Sequence, residues 1–549
     1  MAAMTTQALG QTAPDVPPAA LPDIRLRQLP STETPRPAPG LEGEPPTAPR
    51  PPKSATGVRF LLQGVTLVGA KAYPAAEMDA VFAPLVGKQV TLAEIYRLAK
   101  ELEYRYRDDG YFLTRVLVPA QTIDDGRVRI QVLEGFIAEV RIEGEVGAVQ
   151  SLISDSMEGV TSERPLRYAT LERALLLAND IPGITVSGVL QPAPREPGAA
   201  DLVVTASRTP FEATTLADNL GDDYTGRYEL AASAASNSWT SLGEQVRVVG
   251  FVTNPWDTHN QKVGQLSTSW RLGGSGLALE TVYSYGVSNP GSTVEFLDID
   301  STTWLAGASG SYPLIRSRNL NLSGRIGFEA INDDVDYLGN QTLSRDRLRI
   351  GFVTASLDFL DAWRGTNTLE STLRQGLPVM GATRRADPHK SRANGTAQAT
   401  IFQGSASRLQ PLYGNLGLYL LTAGQYAATG VLSDQEFLLG GVQFGRGYDY
   451  ATLAGDSGIG GTAELRYTQP LPVADLDRIQ LFGFVDGGRI WDRDPLSDAQ
   501  LTSAGGGLRL FPFERLFVEL VAAQPISLDS GRANGGRDPQ FLFRAVGRL

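Results

Sequence analysis

The chain has 549 residues, 42% hydrophobic and 20% charged, with a net charge of −11 at neutral pH; that is length for several domains, too apolar to be disordered as a whole and too acidic to favour nucleic acid as a partner. It has no cysteine and only two histidines, His259 and His389, so disulfides, thiolate metal sites and histidine-based catalysis have little to build on, and no metal or cofactor is expected. No run approaches the roughly 18 apolar residues of a membrane-spanning helix, a criterion that alternating strands escape.

The first residues, MAAMTTQALGQTAPDV, carry neither the basic region nor the apolar stretch of a secretion signal, so no signal is visible at this start. Residues 1–56 are rich in proline, with Pro45, Pro46, Pro49, Pro51 and Pro52 close together, and read as an extended linker. A short basic-apolar patch at 24–29 could be a fragment of helix, although little there would stabilise one. Residues 57–135 read as a compact module. A strand is expected over 58–68, and Thr91-Leu92-Ala93-Glu94 has capping-box spacing. Leu92, Ile95, Leu98, Leu102 and Tyr106 then share a helical face. Strands follow at 114–118 and 127–133, joined through the turn signal Asp124-Asp125-Gly126. The order is β-α-α-β-β, and residues 136–208 repeat it. Strands are expected at 136–143, 185–190 and 200–206, with a weak helix at 149–157 and a stronger one at 168–179.

From 209 to 549 the pattern becomes alternating strands between polar or glycine-rich loops. Leu320, Leu322, Ile326 and Phe328 alternate with Asn321, Ser323, Arg325 and Glu329; Ala463, Leu465 and Tyr467 alternate with Thr462, Glu464 and Arg466. Leu279, Tyr283 and Tyr285 share a face opposite Glu280 and Ser284. One face could meet lipid, and the other carries charges that lipid would reject; a soluble sandwich would also alternate. About sixteen strands can be counted, among them a short one at 436–440, and an even antiparallel set fits a closed barrel. The last strand, 541–549, runs to the final residue.

Two stretches carry the functional signal. FLLGGVQFGRGY at 437–448 surrounds one arginine, Arg446, with glycines, including Gly445 and Gly447, and ends on Tyr448; such a backbone turns tightly and presents one forked donor. FVDGG at 484–488 puts Phe482, Phe484 and Asp486 on one face of a strand that leads to Gly488. A carboxylate in period with two aromatics should face a lumen and needs a partner. A loop around 442–460, folded back with arms of about nine residues, would reach about 30 Å, enough to enter a barrel. Either motif alone reads more readily as an ordinary turn or strand end; their order and setting shift the balance.

GRGY resembles the loop-tip motif, and FVDGG the receiving barrel-wall motif, of outer-membrane transporters that carry periplasmic POTRA domains, with Gly445 where that family often has a β-branched residue. The repeated β-α-α-β-β order resembles tandem POTRA domains. LVPAQTIDDGRVRIQVLEG and NDIPGITVSGVLQP resemble the haemolysin-activator type of two-partner secretion transporter. The resemblance covers nearly everything from Val58 onward. It implies POTRA domains in the periplasm and a barrel in outer-membrane lipid. It also implies a large secreted cargo, adhesin-like or haemolysin-like and mostly β-helical, bound by strand addition at a sheet edge. It further implies a loop tip held inside the barrel by Arg446 on Asp486, with Tyr448 beside Phe482 or Phe484. No phosphate-binding loop or nucleophile elbow occurs, so no enzymatic activity is expected. An insertase for other barrels and a general pore remain alternatives; a barrel-housed hydrolase ranks below both.

Overall fold

The computed structural model describes residues 41–42, 53–193, 196–339, 341–473, 476–493, 496–512, 515–529 and 538–549. The patch at 24–29 and most of the proline-rich segment lie outside the described residues.

In the first module the helix Leu92–Asp108 starts at a complete capping box. The Glu94 amide donates to the Thr91 hydroxyl, and the Glu94 carboxylate accepts the Thr91 amide at 2.6 Å. The face bearing Ile95, Leu98, Leu102 and Tyr106 packs on Met78 and Phe82 from helix Ala75–Phe82 and on Val128 and Ile130 from strand Arg127–Leu133. The strand expected over 58–68 is two strands, because its halves serve different sheets. Arg59–Leu61 pairs with Gln89–Thr91, and Gly64–Val68 runs parallel to Arg127–Leu133. Leu62, at the break, is fully buried.

The second module buries Leu171, Leu175 and Ala178 of helix Tyr168–Asn179 against Ile137, Val186, Leu202 and Val204 of its sheet. Leu41–Glu42 adds a short parallel strand to the outer edge of Ile184–Pro192. The modules are joined by Arg167, which donates to the Tyr111 hydroxyl at 3.0 Å, and by Phe112 edge-on to Tyr168.

Sixteen antiparallel strands then close a barrel. In order these are β1 (Phe211–Asp218), β2 (Glu229–Asn237), β3 (Gln245–Thr253), β4 (Gln261–Leu272), β5 (Leu277–Ser288) and β6 (Asp300–Arg316). Next come β7 (Leu320–Tyr337), β8 (Gln341–Leu360), β9 (Thr366–Gly376), β10 (Thr400–Pro411) and β11 (Leu416–Ala427). The last five are β12 (Ser457–Val473), β13 (Leu476–Arg493), β14 (Leu496–Phe511), β15 (Leu516–Asp529) and β16 (Gln540–Arg548). Pairing of β1 with β16, from Thr214 opposite Arg548 to Asp218 opposite Arg544, removes both edges. The expected faces are in place. Ile326, Leu465, Tyr283 and Tyr285 point outward and are about half exposed or more, while Glu280 pairs with Arg325 and Glu329 with Arg374 inside. The short segment at 436–440 is not part of the wall. Its strand, Phe437–Leu439, pairs with Leu453–Gly455 within the β11–β12 loop.

The second module sits on the short turns at one end. Arg316 grips Asp180 with both Nε and Nη2, at 2.8 and 2.7 Å, and Arg208 donates to the Ser238 carbonyl. The long loops therefore open at the other end.

Candidate functional site in the barrel lumen

The β11–β12 loop, residues 428–456, turns inward. Its paired stem has three residues on each arm rather than about nine, because internal turns replace the ladder: the Gly440 amide bonds the Phe444 carbonyl, and Gly441 bonds Tyr448. At the tip Gly445 has φ +102°, and a Cβ there would stand 2.5 Å from Leu501 Cδ1, so glycine is required where a β-branched side chain would clash. At Gly447 a Cβ would lie 2.7 Å from the Pro525 nitrogen, so the tip lies flat on the wall of β14 and β15. Gly488 leaves space on β13 for Leu439 of the loop stem.

These contacts place Arg446 over β12–β14, where it is 6% exposed. Its Nε donates to Asp486 Oδ2 at 2.7 Å and its Nη1 to Glu464 Oε2 at 3.0 Å. The other Asp486 oxygen accepts from the Ser503 hydroxyl, which also receives the Gly447 amide at 3.1 Å. Glu464 is shared: Arg466 and Arg509 each donate to its Oε1 at 2.6 Å, and Arg509 reaches Glu519 as well. Three guanidinium groups thus face three carboxylates, so the desolvated cluster is neutral. The Arg446 guanidinium lies 3.4 Å from the Phe484 ring centroid and that of Arg509 4.0 Å from Phe482.

Asp486 and Arg446 are thus direct partners, with Phe484 beneath. Tyr448 is elsewhere. Cations occupy the faces of Phe482 and Phe484, and the tyrosine packs with Leu439, Phe444 and Leu501 while its hydroxyl donates to the Ser527 carbonyl at 2.7 Å. Sequence reading missed Glu464 and Arg509 as members of the cluster. Alternation puts Glu464 in the lumen, but its place beside Asp486 depends on the register that pairs Thr462 with Asp486 and Glu464 with Phe484. The arrangement anchors the β11–β12 loop deep inside the barrel.

Residues 198–510 match the family model described as haemolysin secretion/activation protein ShlB/FhaC/HecB, and residues 60–135 match the ShlB-type POTRA domain. The heme/hemopexin transporter protein HuxB of Haemophilus influenzae is 23% identical over 472 residues, covering 83% of this chain and 82% of that protein. The hemolysin transporter protein ShlB of Serratia marcescens is 26% identical over 433 residues, covering 75% and 72%. The structure of CdiB from Escherichia coli has the same fold, with a TM-score of 0.74 at 20% identity over 96% of this chain and 95% of that one. Matched over more than half its length, from the last strand of the second module into β14, the chain belongs to the ShlB/FhaC/HecB family of haemolysin secretion/activation proteins.

Proposed function

We propose that this outer-membrane transporter exports, and in doing so activates, one large secreted partner protein. The partner docks unfolded on the periplasmic modules 57–135 and 136–208 and passes through the barrel of 209–549. A cargo of the adhesin or haemolysin kind, β-helical once outside, fits that route, since its folding at the surface would draw the chain outward. The observation that carries the reading is the buried cluster of Arg446, Glu464 and Asp486, which pins a surface loop inside a lumen whose other end meets a docking module. A plain solute pore has no use for either feature. An extended cargo segment would add to the edge strand Ile184–Pro192, displacing Leu41–Glu42, whose two-residue pairing is short enough to yield.

The test is deletion of residues 57–208. The barrel should remain in the membrane as a heat-modifiable band while secretion of the partner protein stops. Secretion at the undeleted level would overturn the docking role.

A further inference from the structure

The lumen is divided. The loop tip and its arginines fill the side walled by β12–β15, whereas β1–β10 enclose a cavity of about 1670 Å³ whose lower mouth is framed by Asp180, Pro182 and Thr185 of the second module. Hydroxyl-bearing residues, among them Ser267, Ser269, Ser309, Thr354 and Thr372, line it between the paired charges Glu280–Arg325 and Glu329–Arg374. Such a wall offers an extended backbone exchangeable hydrogen bonds and carries no unpaired charge from these residues to trap it.

The outer end of this cavity is shut by a cap. The β9–β10 loop, residues 377–399, runs along the extracellular extension of β8, with the Leu377 amide on the Arg349 carbonyl and the Thr383 amide on the Arg347 carbonyl. It then turns inward, where the Ser391 amide donates to Asp346 at 3.1 Å. Ala397 of this loop and Leu432 of the β11–β12 loop pack on Leu305, Ile331, Leu348 and Ile350. The register shows what this covers. Gly307, Glu329 and Phe352 line the cavity, and Leu305, Ile331 and Ile350 are the next inward-facing residues toward the outside on the same three strands. The cap is therefore seated directly on the cavity, while the Arg446 cluster lies on a wall the cavity does not touch.

One residue ties the cap together. Arg392 donates to Asp456 and, through Nη2, to Asp492 at 3.0 Å; its Nε lies 3.4 Å from Glu436, and Nη1 also donates to the Val431 carbonyl at 2.9 Å. Glu436 and Asp456 flank the paired stem Phe437–Leu439 and Leu453–Gly455 of the β11–β12 loop, and Asp492 is on β13, so a single guanidinium joins both loops to the wall. Its side chain keeps 21% exposure, and water can compete for these bonds when the loop moves.

We propose that the secreted partner travels along the β1–β10 half of the lumen, and that Arg392 latches the cap that closes this path. This rests on the export reading above. Movement of the cap opens the path without requiring Arg446 to leave Asp486.

The chain has no cysteine, so a disulfide between Ser391→Cys and Asp346→Cys would be the only one present, locking cap to wall in the full-length protein. Oxidised, this variant should secrete at least about tenfold less partner than when reduced, and reductant should restore it. In planar bilayers the oxidised form should also lack the conducting events of the reduced form. Arg392→Ala should raise the ratio of open to closed time by about tenfold, as a loss of roughly 1.4 kcal/mol in closed-state stability would, with Arg392→Lys in between. Oxidised and reduced forms that secrete and conduct alike would overturn the gate while leaving export standing. Failure of the unsubstituted transporter to secrete any partner would instead defeat the export reading, and the bilayer measurement would still decide the gate.

Discussion

The periplasmic modules and the barrel lumen solve the same problem with opposite materials. The second module buries Ile137, Leu171 and Leu175 among other hydrocarbon side chains, all at 2% exposure or less. The lumen at the loop tip buries Arg446, Glu464 and Asp486 to a similar degree. A barrel with lipid outside has already spent its apolar face on the membrane, so what faces inward is polar and must be satisfied by pairing. The difference teaches how each region should fail: the modules by leaving a cavity, the lumen by leaving an unmatched charge.

The largest effect is expected where one carboxylate serves several cations. Glu464→Gln strips the charge partner shared by Arg446, Arg466 and Arg509; breaking a buried pair costs about 3–5 kcal/mol, and this should fall at the upper end. The heat needed to unfold the barrel on a cold gel reads it, and an unchanged transition would show that lumen water already solvates the cluster. Arg446→Ala removes the anchor but no wall strand, so secretion should fall more than barrel assembly does. Arg446→Lys should recover only part, since a point charge cannot bond Asp486 and Glu464 in the plane of one fork. The swap Arg446→Asp with Asp486→Arg should also restore secretion incompletely, because the new carboxylate at the tip would face Glu464. Full restoration would mean that Glu464 is not coupled to the tip.

In the module, Leu171→Ala should cost about 2–5 kcal/mol by leaving a hole in a packed core. Leu171→Met, which keeps the volume, should cost far less, whereas Glu464→Gln keeps the shape and should still be costly because it removes a charge. A mild Glu464→Gln beside a severe Leu171→Met would erase the contrast.

How much of this was legible follows from the same chemistry. The barrel faces could be read because lipid tolerates no charge, so Ile326 between Arg325 and Gly327 has one possible orientation. The helix start at Thr91 could be read because a capping box is local. Register is not local, and without it Glu464 cannot be placed beside Asp486, nor Tyr448 away from Phe482. Arg392 gives no signal at all in the sequence: it is a loop arginine among others, and its three carboxylates come from positions 436, 456 and 492. The resemblance to POTRA transporters carried the order of the domains, and it pointed to a pair where the lumen holds a network.

Ile326→Arg tests the outer face of the barrel, where the native side chain is 66% exposed. A basic residue at mid-bilayer costs about 2–4 kcal/mol, which should appear as reduced insertion. Gly327→Ala on the opposite face would be a poor control, since its Cβ would strike the Phe352 ring at 2.5 Å. Ser323→Arg is better, because it faces the polar cavity and should insert normally.

The smallest effect tests the module at its edge, where neither hydrocarbon nor buried charge is involved. Thr91→Ala removes the N-cap of helix Leu92–Asp108 and should cost about 1 kcal/mol, read as faster amide exchange over residues 92–96 in the full-length protein. The Glu94 carboxyl is held below the usual carboxylate range, first by the Thr91 backbone amide and then by the Thr91 hydroxyl. A carboxyl whose folded pKa is depressed contributes its stabilisation fully above the unfolded pKa, and the contribution fades as pH falls through the lower folded value. Protection of the first helical turn, corrected for intrinsic exchange, should therefore be level from neutral pH down to the ordinary glutamate range and decline only below it. In Glu94→Gln protection should start lower and stay flat over the same window. A decline of equal size in both proteins would assign the acid sensitivity to other carboxylates and leave the capping box with its neutral hydrogen bonds alone.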